Sequence, residues 1–418
     1  MSGGADGVRQ RLSEAVDRVS TRPLPTDRLA VITMVRDSLD IIPSFLSHHA
    51  TLVDRIHIVD HRSVDGTREY LEAVSADRAL GDLLDLLRYD GDAYNQGVIF
   101  TELARRAFRN GADWVFAIDD DEYLAATSRE ELIARLAPVV SPIVRFDWIN
   151  LVPNVTRHGR TALLEFDPRG EFLWLSPDLP ARHGKLALHR TFAEAFPRFV
   201  FGMGNHKVYA YPGSPKLSGE AVGRLLHVPA RSVEQVLMKR RNFLSGSDFT
   251  DVFGRSRQDE YGEQYRLARE LLESELDDEQ LLRLFEQVVL PYEPDELDRL
   301  DRSSWSPTIV RLPRSATPSE AFTRDRGGHD LAGPSPHDGA ALLTGSPGAP
   351  SPKGTRSKRP IHAHIGPDDR VVVRTDPLRT LAGRWARLTT EVALFGFGRY
   401  VARRSFLRHG VRLLRGAR

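Results

Sequence analysis

Between Leu29 and Asn150 the chain alternates short apolar runs with stretches of helical spacing. Leu29–Val35, Arg55–Val59, Asp85–Arg88, Trp114–Ile118 and Ile143–Trp148 read as strands. Their near-continuous aliphatic and aromatic character suits a sheet covered on both faces. The segment Ser38–His49 places Ile42, Phe45, Leu46 and His49 on one helical face. Thr67–Val74 is a second helix, and Gly97–Asn110 a third, with Phe100, Leu103, Ala104, Ala107 and Phe108 aligned. Strands alternating with helices predict an α/β fold with a mostly parallel, doubly wound sheet. Ligands of such sheets bind beyond the carboxyl ends of the strands.

Outside this block the pattern changes. Residues 1–27 read as a short polar, helical segment with a Pro-containing entry (Arg22-Pro23-Leu24-Pro25). The main domain is expected over 28–300, with an α+β extension at 151–230 and charged helices at 231–300. Residues 314–369 are rich in Pro, Gly, Ser and Ala and read as a disordered linker. Residues 377–418 carry ten arginines against one glutamate, Glu391. Leu378, Leu381, Trp385 and Leu388 recur there at helical spacing, which predicts a basic amphipathic helical tail suited to an anionic membrane surface.

Composition narrows the classes. At 418 residues with 41% hydrophobic and 28% charged positions, the chain is an ordinary globular protein with appendages. It has no cysteine, which excludes disulfides and thiolate chemistry. No apolar stretch approaches the ~20 residues that span a bilayer. The N-terminus lacks the order of a secretory signal. A cytoplasmic protein is expected, peripheral on the inner face of the membrane if the tail engages it.

The candidate chemistry begins where the fourth strand ends, in Asp119-Asp120-Asp121-Glu122. Four adjacent carboxylates repel one another, and a divalent cation would remove that cost. In extended chain Asp119 and Asp121 point the same way and can share one site. Hard oxygen ligands of this kind suit Mn²⁺ or Mg²⁺. A solvated acidic loop is the bland alternative.

Three segments in order carry a family resemblance. They are Met34-Val35-Arg36-Asp37-Ser38 through Ile58-Val59-Asp60-His61-Arg62-Ser63-Val64-Asp65-Gly66-Thr67, then Asp119 to Leu124, then Leu226-His227-Val228-Pro229-Ala230-Arg231-Ser232 with Lys239 following. Together they resemble the family 2-like glycosyltransferases of the GT-A fold, in the bacterial branch related to the family 92 enzymes. The resemblance covers about residues 29–245. It departs at Asp37-Ser38, where the family usually has Asn-Glu, and at Val228, where it commonly has Tyr.

The resemblance implies a metal-dependent, inverting transfer of sugar from a UDP- or GDP-linked donor to a hydroxyl acceptor. A surface glycan or glycolipid is the acceptor by analogy. Asp60, Asp119, Arg36 and Lys185 fall on the donor side, Asp60 as acceptor of a base imide N–H. Asp121 is the direct metal ligand, with Asp119 nearby and a late histidine, His227 in preference to His206. Beside the resemblance, Lys185, Lys207 and Lys239 are each candidate phosphate contacts by charge, with plain surface placement the alternative reading of each. For the general base the sequence offers Asp147 and Glu122. Ser63, Asp65, Gly66 and Thr67 read equally as a turn and helix cap. No P-loop is present, and no base-reading motif supports nucleic-acid binding. Two alternatives stand: a nucleotidyltransferase on the same fold, and a non-catalytic carbohydrate- or membrane-binding relative.

Overall fold

A computed structural model describes residues 23–77, 82–154, 308–312 and, apart from a few positions within them, 167–174, 184–242 and 361–375. In chain order the elements are β1 (Leu29–Val35), α1 (Ile42–His49), β2 (Arg55–Asp60), α2 (Thr67–Ala76), β3 (Leu84–Arg88), α3 (Gln96–Arg109), β4 (Trp114–Ala117) and β5 (Glu122–Leu124). There follow α4 (Arg129–Leu136), β6 (Ile143–Pro153), β7 (Phe172–Trp174), β8 (Gly184–His189) and α5 (Arg190–Ala195). The short strands β9 (Val200–Phe201), β10 (Val208–Tyr209) and β11 (Lys216–Leu217) form a separate small sheet. Last come β12 (Glu220–His227), β13 (Thr308–Val310), β14 (Ile361–Ile365) and β15 (Val371–Thr375).

The predicted strands and helices are present with small shifts. The first helix starts at Ile42 instead of Ser38, because Ser38–Ile41 forms a turn in which Ser38 O accepts from Ile41 N and Ile42 N. Pro43 then occupies the first helical turn, where its missing N–H costs nothing.

The main sheet is mixed, which revises the mostly parallel expectation. β3, β2, β1 and β4 are parallel neighbours in that order. Beyond β4 the pairing turns antiparallel to β8, and β8 is antiparallel to β6. On the far side β6 runs parallel to β12, which pairs antiparallel with β5. Parallel neighbours need a long crossover, usually a helix, which α1, α2 and α3 supply among β1, β2, β3 and β4.

Both faces of the parallel half are buried, and β1 shows how. Leu29, Val31 and Val35 pack with Ile42 and Phe45 of α1, Leu71 of α2 and Leu132 of α4. Ala30, Ile32 and Met34 pack on the opposite face with Ile99, Phe100 and Leu103 of α3. The period-two alternation explains why the strand reads as an unbroken apolar run.

The linker boundary at residue 369 needs correction. β14 and β15 pair as an antiparallel hairpin, and Val371 is buried in the α3-side core. Arg88 N donates to Asp369 O at 3.1 Å, and Arg106 Nη2 lies 3.2 Å from the Asp369 carboxylate. This hairpin therefore packs on α3 and reaches β3 only at its last residue, Arg88. Residues 1–22, 243–307, 313–360 and the basic tail 377–418 lie outside the described residues. Among the described residues no helix is long and apolar enough to cross a membrane.

Candidate active site

The apolar run of β4 ends at Ala117, and the chain turns at once. Glu122 N donates back to Asp119 O at 3.2 Å, so Asp119–Asp121 is a tight turn, not extended strand. β5 then pairs with the end of β12 in a register that sets Glu122 opposite His227. Val228 N donates to Asp121 O at 2.9 Å. Two sequence segments about a hundred residues apart are thus fixed against each other by backbone alone.

The turn separates the carboxylates that the extended-chain argument had paired. Asp119 accepts from Gln96 Nε2 at 2.8 Å and from Lys185 Nζ at 2.6 Å. Glu122 accepts from Trp148 Nε1 at 2.6 Å and from Asp119 N at 2.9 Å, with Lys185 Nζ 3.6 Å away. Lys185, only 1% exposed, also donates to Gly204 O. It thereby ties the turn to the Gly202–Lys207 loop. Burial pushes the Glu122 carboxyl well above the usual range, against the pull of Lys185.

Asp121 faces another way. Its Oδ2 lies 2.5 Å from Lys239 Nζ and 4.0 Å from Arg231. Its Oδ1 is buried and accepts no hydrogen bond. That atom lies 3.7 Å from His227 Nε2. Burial alone would raise this carboxyl, but the Lys239 ammonium, with Arg231 adding to it, outweighs burial and holds it well below its ordinary value. His227 stacks on Trp148 with ring centres 4.2 Å apart, and burial lowers its pKa to about 3, so it is neutral. Its Nδ1 lies 2.8 Å from Asn150 Oδ1, an acceptor. The proton therefore sits on Nδ1, and Nε2 presents a lone pair to Asp121. Two lone-pair atoms facing each other across 3.7 Å, one of them an orphaned buried carboxylate oxygen, fit a divalent cation. Among the described residues one buried group could hold it, Asp121, Glu122 and His227, whose ligand atoms lie within 4.8 Å of one another. Carboxylate oxygens with one imidazole suit Mn²⁺ or Mg²⁺, the nitrogen favouring Mn²⁺.

The charge argument from sequence is also revised. Lys185, Lys239 and Arg231 already lie within 4.0 Å of the cluster, so repulsion among the four carboxylates is largely offset by the chain's own cations. Arg231, 2% exposed, is held by both oxygens of Asp40 at 2.6 and 2.9 Å. What favours a cation is the Asp121–His227 pair, not the length of the acidic run.

An open cleft adjoins the turn, lined by Arg36, Asp37, Tyr94, Asp120 and Lys239 among others. Asp120 accepts from Ser38 Oγ, and burial, then the Asp121 charge, push its carboxyl up to about 6. Asp37 adopts a left-handed backbone (φ 53°), held by Val64 N and Asn242 Nδ2 donating to its carboxylate. The Ser63–Thr67 turn braces this loop: Ser63 Oγ accepts from Asp37 N, Thr67 Oγ1 from Ser38 N and Asp65 from Leu39 N. Those turn residues are thus scaffold.

The other expected site residues lie as follows. Asp60 is buried at the end of β2, where it accepts from Arg68 Nε at 2.7 Å and Ser63 N at 3.3 Å. Arg36 lines the cleft. His206 packs edge-on against Trp148 and is held by Gly184 O at 2.8 Å, outside the ligand group. Asp147 is bound by Arg145 at 2.5 Å. Strand alternation puts it on the face of β6 opposite Trp148 and Asn150, away from the cluster. Sequence reasoning missed Trp148, Asn150 and Gln96. Trp148 and Asn150 are recognisable only once β6 and β12 are paired in register.

No family model matches the chain, and no curated protein is similar to it. Among solved structures, the galactosyltransferase LgtC in complex with donor and acceptor sugar analogues aligns with 39% of this chain at 11% identity. The aligned part spans 58% of that protein's length at a TM-score of 0.21, too low to carry an argument about fold or activity.

Proposed function

We propose that this chain is a divalent-metal-dependent glycosyltransferase of GT-A type, moving sugar from a nucleotide-sugar to a hydroxyl acceptor with inversion. The observation that carries the reading is the pair formed by Asp121 Oδ1 and His227 Nε2. They stand just beyond the carboxyl end of β4, beside an open cleft with arginine and lysine in its wall. Sequence resemblance over residues 29–245 supports the same reading.

Asp121 and His227, with Glu122 close by, would hold the metal. A bound divalent ion neutralises charge growing on a leaving diphosphate. Arg36 and Lys239 offer the cleft its positive charge for that diphosphate. Asp60 serves the donor base, with Arg68 fixing its carboxylate. Asp119, Lys185 and Glu122 keep the turn rigid, so that Asp121 is presented in one orientation. Asp120 opens on the cleft and is the carboxylate placed to take the acceptor's hydroxyl proton. It is preferred to Asp147, which lies on the opposite face of β6 from Trp148, and to Glu122, which is fully buried. The acceptor is a glycan or glycolipid, reached from the membrane side if the basic tail holds the protein there.

Incubation with UDP- and GDP-sugars, with and without Mn²⁺, tests this directly. Slow, metal-dependent release of nucleotide diphosphate from one donor is expected. Pyrophosphate formation from a nucleoside triphosphate and a sugar phosphate would identify a nucleotidyltransferase instead. Tight glycan binding without turnover of any donor would identify a non-catalytic relative.

A further inference from the structure

The three cations around the carboxylate turn are not equivalent. Lys185 is 1% exposed and fixed by Asp119, Glu122 and Gly204 O. Arg231 is 2% exposed and clamped by Asp40. Lys239 is 36% exposed, and its one hydrogen bond among the described residues is to Asp121 Oδ2. It lies in a helical stretch after β12, on a flexible stem, and lines the cleft. A dication at Asp121 Oδ1 and an ammonium on Oδ2 would share one carboxylate and repel strongly at that range. Of the three, only Lys239 has somewhere to go. Its release leads into the cleft that Arg36 also faces.

We propose that Lys239 is an exchangeable counter-ion: it holds Asp121 until a divalent cation arrives, then swings into the cleft to meet the phosphate of the second ligand. This rests on the metal site of the proposed function and adds a coupling to it. Cation binding frees the lysine that the anion needs, and by linkage the anion strengthens cation binding. Without the anion, the metal must displace a charge-assisted hydrogen bond, so its affinity alone is reduced.

The test reads Mn²⁺ binding itself, by the EPR signal of free Mn²⁺, on the full chain without nucleotide. Lys239→Met should bind Mn²⁺ about tenfold or more tightly than wild type, and Lys239→Arg should not. With Mn²⁺ saturating, Lys239→Met should bind UDP or GDP about tenfold more weakly. A second readout needs no variant. The chain holds few lysines, and acetylation of Lys239 in the wild-type protein, followed by mass spectrometry, should speed up on Mn²⁺ addition and slow again with nucleotide. Equal or weaker Mn²⁺ binding by Lys239→Met, or Lys239 reactivity unchanged by bound Mn²⁺, overturns the exchange and leaves the metal site standing. Failure of wild type and variant alike to bind Mn²⁺ overturns both.

Discussion

Replacing Asp121 with Asn keeps the shape of the side chain and removes its charge. The sequence alone would make this stabilising, since one of four neighbouring carboxylates disappears. The structure reverses the sign. Asp121 is 1% exposed and meets Lys239 at 2.5 Å and Arg231 at 4.0 Å. Its carboxyl is held below its ordinary value, so the charged form stabilises the fold at neutral pH and loses that contribution only as pH falls through the depressed value. Breaking a buried ion pair costs ~3–5 kcal/mol when the remaining charge stays buried. Here Arg231 retains Asp40, and Lys239 can turn to water, so the cost falls to roughly 2–3 kcal/mol. For a domain of this size that lowers the melting temperature by about 4–12 °C. Thermal and urea unfolding of both proteins at pH 7, in chelator, measure it. A midpoint equal to or above wild type would refute the reasoning, because repulsion would then outweigh the pairing. The same variant should lose donor turnover by a factor on the order of a thousand, as expected for losing a metal ligand.

His227→Ala should abolish measurable Mn²⁺ binding, whereas His206→Ala should leave it nearly unchanged; Mn²⁺ titrations of the two variants decide it. Asn150→Ala, which frees the His227 tautomer, should weaken Mn²⁺ affinity roughly 10–100-fold without touching the metal, the loss expected for an outer hydrogen-bond partner. Burial lowers His48 and His61 to about 4 in the fold against 6.5 unfolded. The unfolded chain therefore takes up protons first, and stability falls as pH drops from 6.5 to 4 by about 1.4 kcal/mol per pH unit for each. Urea midpoints of His48→Gln should fall less steeply over that range than those of wild type. Co-sedimentation with anionic vesicles should be lost when the chain is ended at Asp376, and equal binding by the truncated protein would reject the membrane tail.

The parallel half of the sheet was legible because its strands are buried on both faces: a run such as Ala30–Val35 leaves no other reading. The antiparallel half was not. β8 (Gly184–His189) contains Lys185 and His189, both buried, and a lysine in a strand breaks the apolar pattern unless its partners Asp119 and Glu122 are already in place. Among the site residues, Asp121 and His227 stood out by type and order. The separate destinations of Asp119 and Asp121 did not, because the Asp119–Glu122 turn breaks the two-residue alternation on which their pairing was argued. The hairpin at 361–375 was hidden by the Pro- and Gly-rich composition just before it.

That hairpin also bears on how the protein is made. The contact between Arg106 and Asp369 spans 263 residues of chain, and β3 is the last strand of its side of the sheet. During synthesis the parallel core can assemble as soon as β4 and α4 have left the ribosome. The surface of α3 on which the hairpin packs then stays uncovered until residues 361–375 follow, well over two hundred residues later at ~5–20 residues per second. Apolar surface left open on a partly made chain is a site for association with another nascent chain. Expression yield should therefore depend on the hairpin more than activity does, and fragments ending before Ile361 should be recovered mainly as aggregate.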